Sequence, residues 1–266
     1  MTQRILVIIM AITLWQQAKA QQTEQWNNKK CAVVLTYDDA LNIDLDNVIP
    51  ALDSLNLKGT FYLIGESAAV SKRIPEWRLA AMHGHELGNH SLTHPCDATQ
   101  QGRSWVSPDR ALNTFTVSRA VNEIRITNTL LQAIDGKTER TFAFPCGDTK
   151  IGEVSFYKEL KNDFACARGV QQSFQHLNEV DLDDVNCFYI DGHSGEYMID
   201  LVKKAIESHT LLVFLFHGVG GEHAINVSVK AHKQLIQFLK QHENEIWNGT
   251  MVDVAQYIRK NQTLKK

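Results

Sequence analysis

The stretch CAVVLTY (residues 31–37) is a run of apolar and β-branched residues with no polar alternation. Strands with one wet face alternate, whereas a continuous run marks a strand covered on both faces, as in parallel sheets flanked by helices. Working outward, residues 46–55 place Val48, Ala51, Leu52 and Leu55 on one side of a helix, Gly59 interrupts, and TFYLIG (60–65) reads as a second strand. A helix through 77–82 leads to a third strand region and the histidine-rich GHELGNHSLTHP (84–95). Ser107, Pro108 and Asp109 then read as the start of a long helix, with serine as N-cap and proline at the first helical position. Its buried stripe is Val117, Ala120, Val121, Ile124 and Leu131. Further strands are predicted at TFAF (141–144), FACA (164–167), CFYI (187–190) and LLVFLF (211–216), with helices at 196–208, 228–242 and 252–260. Strand and helix alternate without a long linker or internal repeat, which predicts one parallel α/β unit, barrel-like or open. In such folds functional side chains gather at the carboxyl ends of the strands.

The chain has 266 residues, and its first twenty read as a leader. Arg4 precedes an apolar run at 5–15 broken only by Thr13, and Ala18-Lys19-Ala20 offers small residues for cleavage after Ala20. Residues 1–20 are therefore expected to be a signal peptide and 21–266 a single exported domain, periplasmic or extracellular. The apolar run falls short of the roughly 20 residues that span a bilayer, so no stable membrane insertion is expected after cleavage. Without Arg4 and Lys19 the 27 basic residues become 25 against 30 acidic ones, a formal charge of −5. No polybasic face exists, which argues against nucleic acid or anionic membrane as a partner. The five cysteines (31, 96, 146, 166, 187) form no CxxC pair, so they read mostly as buried small hydrophobes. One pair could be bridged, and the spacing does not say which.

The residues with chemistry follow strands. Asp38 and Asp39 come straight after the first one. Adjacent acids there often form turns, but burying two carboxylates is costly unless a cation neutralises them. His90 and His94 are four apart, so on a helical turn both imidazoles would converge on one ion. His83 and His85 read as the structural pair of that stretch. A protease motif His-Glu-x-x-His would need histidine at position 89, which is Asn89, so Glu86 does not serve that chemistry. His217 ends LLVFLFH and is followed by a glycine-rich loop. Two histidines and a carboxylate also describe non-haem iron oxygenases, but those sit mostly on antiparallel sandwiches and have no use for a second acid.

This constellation resembles the polysaccharide deacetylase (NodB-homology) family, carbohydrate esterase family 4. TYDDA (36–40) is similar to its first motif T-F-D-D-G, HSLTH (90–94) matches H-[ST]-x-x-H, FAFPCG (142–147) is similar to F-R-x-P-Y-G, and LFH (215–217) matches L-x-H. The motifs occur in family order. Ala40 stands for glycine, Ala143 for the third-motif arginine and Cys146 for its aromatic residue, and no D-x-x-D-W fourth motif is found. The resemblance implies an irregular (β/α) barrel of mostly parallel strands with surrounding helices. It implies one divalent metal on Asp39, His90 and His94, zinc above cobalt, nickel or manganese. Asp38 would be the base, His217 the acid, and the backbone N–H of Cys146 an oxyanion donor. Arg168 is a candidate to orient Asp38 in place of the missing arginine. For His217 the orienting acid is one of Asp181, Asp183, Asp184 and Asp191. The implied substrate is an acetylated polysaccharide or oligosaccharide (peptidoglycan, chitin-like, or acetylated xylan, N- or O-linked). A glycan-binding member of the same fold without turnover is the alternative.

Overall fold

Strand β1, Cys31–Asp38, is buried at every position and runs through the middle of an eight-stranded sheet. The computed structural model describes residues 26–263, and the expected leader at 1–20 lies outside them. The other strands are β2 (Thr60–Leu63), β3 (Glu86–Asn89), β4 (Phe142–Ala143), β5 (Ala167–Arg168), β6 (Phe188–Tyr189), β7 (Leu211–Phe216) and β8 (Ile246–Asn248). They lie in the order β5-β4-β3-β2-β1-β7-β6, with β8 added beside β1. Every pairing in this sheet is parallel.

One edge of β1 is covered by β7, while the other is shared, β8 pairing with residues 31–33 and β2 with residues 36–38. Asn248 fills the junction. Its Oδ1 accepts from the Lys58 N–H at 2.7 Å, and its Nδ2 donates to the carbonyls of Val33 (3.2 Å) and Lys58 (3.1 Å). The sheet curls far enough for Arg168 on β5 to bridge to Val185, just before β6, which gives a half-barrel closed by irregular chain.

Period-two alternation sorts the β1 side chains into two environments. Val33, Leu35 and Tyr37 pack with the surrounding helices α1 (Ile49–Ser54), α3 (Ile74–Met82), α5 (Gly195–Ser208) and α6 (Val229–Gln241). Here α2 is Ala68–Lys72 and α4 is Val117–Asp135. Ala32 and Val34 pack instead with Met251, Val254 and Ile258 of α7, Met251–Thr263. The same alternation puts Thr36 and Asp38 on that second face, inside the curl. Full burial of each such aliphatic side chain stabilises by about 1.5–3 kcal/mol. None of the described helices is long and apolar enough to cross a membrane.

The expected long helix begins later than its sequence signal. Residues 107–115 form two short 3-10 turns, and α4 starts after Thr116, whose hydroxyl accepts from the Arg119 N–H at 3.1 Å. The cause is competition for backbone partners: Cys96 N–H donates to Arg110 and Leu112 N–H donates to Cys96, so this segment pairs sideways. The FACA strand also shifts, its ladder forming at 167–168, which puts Arg168 in the strand and not after it. Strand β8 carried no recognised signal.

Candidate active site

Asp38 is the last residue of β1, and the chain then turns through two left-handed residues, Asp39 (φ 81°) and Ala40 (φ 56°). Aspartate tolerates that conformation better than most residues, while alanine strains in it by about 1–2 kcal/mol where glycine would not. The turn separates the two carboxylates, so the neighbours face different partners.

Asp38 Oδ2 accepts from Arg168 Nη2 at 2.5 Å, both groups fully enclosed, and Asp38 Oδ1 is buried without a partner. Arg168 stands directly opposite Ala143 in the β4–β5 register, so its guanidinium reaches over the position where the family motif carries arginine. It lies 5.2 Å above the Tyr62 ring and donates to its neighbour's carbonyl, Gly169, at 3.1 Å. Gly88 allows that ring to sit close, since a Cβ there would come within 2.5 Å of it. Burial raises the Asp38 pKa, but Arg168, His90 and His217 outweigh it, and the net shift is downward.

Asp39 Oδ1 lies 3.6 Å from His90 Nε2 and 3.5 Å from His94 Nε2, and it too is buried without a hydrogen bond. His90 Nδ1 is 2.9 Å from the carbonyl of Ala143, which only accepts, so the proton is on Nδ1 and the Nε2 lone pair is free. Burial pushes His90 down to about 3 and His94 down to about 4, keeping both imidazoles neutral at neutral pH. Burial also pushes Asp39 up, against the pull of His217, with Asp38 adding to the rise. One carboxylate oxygen and two imidazole nitrogens within 4.8 Å of one another could hold a divalent ion. The convergence does not come from a helical turn. His90 directly follows β3, and the loop to His94 passes through left-handed residues at Ser91 (φ 64°) and His94 (φ 53°).

His217 follows β7, its Nε2 3.8 Å from Asp39 Oδ2 and its Nδ1 buried with no partner. None of the four acids considered from sequence bonds to it. Asp183 pairs with Lys161, Asp181 accepts from the Asp183 N–H, Asp184 sits against Gly169, and Asp191 accepts from the Asn226 N–H. The neighbour is His223, whose ring stacks on His217 (4.8 Å between centroids, 13° between planes) and whose Nε2 is 3.6 Å from Asp39 Oδ2. Sequence reading stopped at the glycines of HGVGGEH and passed over this histidine at the loop's end. Burial lowers the His217 pKa more than Asp38 and Asp39 raise it.

Cys146 occupies a Pro145–Gly147 turn with φ 56° and is disulfide-bonded to Cys96, two residues after His94. Cys31, Cys166 and Cys187 are buried free thiols, as expected of small hydrophobes. The Cys96 loop and the Cys146 turn are tied again by Arg103, which donates to the Cys146 carbonyl (3.0 Å) and to Asp148 (2.5 Å), and by the Asp97 N–H to Asp148 at 2.7 Å. Asp38, Asp39, His90, His94, Cys146, Arg168, His217 and His223 border one cleft of about 330 Å³ that also includes Tyr189 and the exposed Trp105. By contrast His83 and His85 are both bonded to Asp53, at 2.7 and 3.2 Å, outside the cleft.

Comparison with known proteins agrees with this fold. The sequence model of the polysaccharide deacetylase family matches residues 25–162. A peptidoglycan-N-acetylglucosamine deacetylase of Bacillus cereus is 37% identical over 71 residues, 25% of this chain and 24% of the relative. A chitooligosaccharide deacetylase of Sinorhizobium fredii is 31% identical over 100 residues, 35% of this chain and 45% of the relative. The chain thus spans under half the length of these curated relatives. Among solved structures, a peptidoglycan deacetylase from Bacillus subtilis superposes with a TM-score of 0.55 at 17% identity, covering 90% of this chain and 95% of that one. That likeness concerns the fold: a parallel half-barrel surrounded by helices.

Proposed function

Because the chain belongs to the polysaccharide deacetylase family, we propose that it is a metal-dependent hydrolase removing acetyl groups from a polysaccharide outside the cytoplasm. The observation that carries this reading is the division between adjacent carboxylates. Asp39 Oδ1 faces two imidazole nitrogens, whereas Asp38 is held by Arg168 and its buried Oδ1 has no partner.

Asp39, His90 and His94 would hold one divalent ion, with zinc suited to a nitrogen-and-carboxylate set, and bound there it would polarise the acetyl carbonyl and acidify water. Asp38, ionised because its pKa is lowered, accepts the proton of the attacking water on Oδ1. Arg168 fixes Oδ2 and keeps the base in one orientation. The Cys146 N–H donates to the acetyl oxygen as negative charge gathers there, and a backbone donor is indifferent to cysteine standing for an aromatic residue. His217 protonates the leaving nitrogen or oxygen. Burial disfavours its imidazolium, while Asp38 and Asp39 beside it favour the protonated form that donates.

Trp105, 64% exposed at the mouth, presents a flat apolar face of the kind that sugar rings stack on. Peptidoglycan, chitin-like oligosaccharides and acetylated xylan all fit this description, and the linkage is N- or O-acetyl. The leader expected at 1–20 and the Cys96–Cys146 disulfide agree with export. The Arg168–Asp38 pair supplies a cation to the first aspartate where the third-motif arginine is missing, which supports turnover over glycan binding alone. The test is acetate release from a panel of acetylated glycans by chelated and zinc-restored protein. Release only after restoration supports the reading, and no release from any glycan by the restored protein defeats it.

A further inference from the structure

The two nitrogens of His94 face different neighbours. Nε2 points at Asp39, while Nδ1 lies 3.6 Å from Cys96 Sγ. Cys96 and Cys146 together with His94 form a second group whose ligand atoms fall within 4.8 Å of one another. As a disulfide the sulfurs are poor ligands, because only thiolates bind metal well. Opening the bond changes this without dismantling the loops. Arg103, Asp148 and the Asp97 N–H still tie the two segments together, so the freed sulfurs would remain neighbours. Bonds of about 2.3 Å to sulfur and about 2.0 Å to nitrogen at a tetrahedral angle set the two atoms roughly 3.5 Å apart. The observed separation between Cys96 Sγ and His94 Nδ1 is close to that.

We propose that Cys96, Cys146 and His94 Nδ1 form a redox-dependent site for a soft divalent ion such as zinc, absent while the disulfide stands and created when it is reduced. With a phosphine reductant, phosphorus attacks the disulfide and the S–S bond breaks. Water then supplies oxygen to phosphorus, and one phosphine oxide and two thiols result. On binding the ion the two thiols and the His94 Nδ1–H release their protons, giving two thiolates and, with the Asp39 site also filled, an imidazolate that joins the two ions, with a fourth position for water. This site is separate from the Asp39 set and shares only the His94 ring with it.

The experiment is a cobalt(II) titration of the mature chain, oxidised and after reduction by tris(2-carboxyethyl)phosphine followed by its removal under anaerobic conditions. The reduced chain should bind one further cobalt with a near-ultraviolet thiolate-to-cobalt charge-transfer band. That band should be missing from the oxidised chain, which still carries three buried thiols as an internal control. It should also be missing from reduced Cys96→Ser and Cys146→Ser. Two newly titratable thiols and an unchanged far-ultraviolet spectrum with no band would overturn the proposal. So would a band in the oxidised chain or in either variant, or loss of folded structure on reduction. Acetate release by the oxidised enzyme is a separate measurement, so failure of this site and failure of the deacetylase reading are told apart.

Discussion

Two carboxylates are buried in the sheet, Glu86 and Asp38, with Asp39 directly after the strand, and they are treated in opposite ways. Glu86 opens β3 at the amino ends of the strands and is fully engaged. It accepts from the Thr60 hydroxyl (2.9 Å), from the Thr141 N–H and hydroxyl (2.8 and 2.7 Å) and from the Val252 N–H (2.8 Å). Asp38 and Asp39, at the carboxyl end of β1, each keep one oxygen with no hydrogen bond. Burial pushes Glu86 up against those donors, whereas Asp38 is pulled below its usual value by the guanidinium beside it. A saturated carboxylate stitches β2, β3, β4 and α7 together. An unsaturated one, enclosed and aimed at a cleft, stores free acceptor capacity, which folding alone does not require.

The sharpest way to break this contrast is Asp38→Asn. Turnover should fall roughly 10²–10⁴-fold with zinc content unchanged, and the folded state should also weaken, since the enclosed Arg168 keeps a hydrogen-bond acceptor but loses its counter-charge. Normal cleavage by that variant would remove Asp38 from the chemistry. Arg168→Met should be costly in both respects, since it leaves an enclosed aspartate uncompensated. A loss of about 3–5 kcal/mol in urea unfolding is expected, with turnover of the surviving folded fraction reduced. Glu86→Gln should invert the pattern. Two donors lose their acceptor, stability drops by about 2–3 kcal/mol, and acetate release per folded molecule stays at the parent level.

Acidification tests buried bases in the same spirit. Burial pushes His85 and His232 down to about 4, so the folded chain holds them neutral while the unfolded chain protonates them near 6.5. Their contribution is intact above pH 6.5 and is lost as pH falls toward 4, at roughly 1.4 kcal/mol per unit for each. His232→Gln, which keeps a partner for the Tyr37 hydroxyl now 2.7 Å from Nε2, should make that acid limb shallower by one histidine's share. An unchanged limb would show that His232 is already charged in the fold. The smallest effect expected is Trp105→Ala, a several-fold rise in KM for oligosaccharides with kcat retained, measured against a minimal acetyl ester whose kinetics should not move. Equal losses on both substrates would mean that Trp105 supports the loop and not the sugar.

Sequence legibility followed contiguity. LLVFLF became β7 at the expected bounds, and CAVVLTY became β1 with one residue more, because a covered strand carries its burial pattern in its own residues. Asp38, Asp39, His90, His94, Cys146, Arg168 and His217 could be named because each stands beside a strand or in a short motif, and all border one cleft. What escaped depends on partners distant in the chain. The late start of α4 is imposed by Cys96, β8 exists only because half an edge of β1 is open, and His223 is brought in by a loop after its strand has ended. The pairing of Cys96 with Cys146 spans 50 residues, and no local pattern announces it.

The Ala143–Arg168 register has a bearing on how such chains are recognised. Since adjacent parallel strands deliver side chains to the same place, a positive group can migrate sideways by one strand while the anion it serves stays put. A pattern demanding arginine in a fixed alignment column would discard this protein as defective. The invariant to search for is spatial, a cation within reach of the first aspartate, whichever strand supplies it.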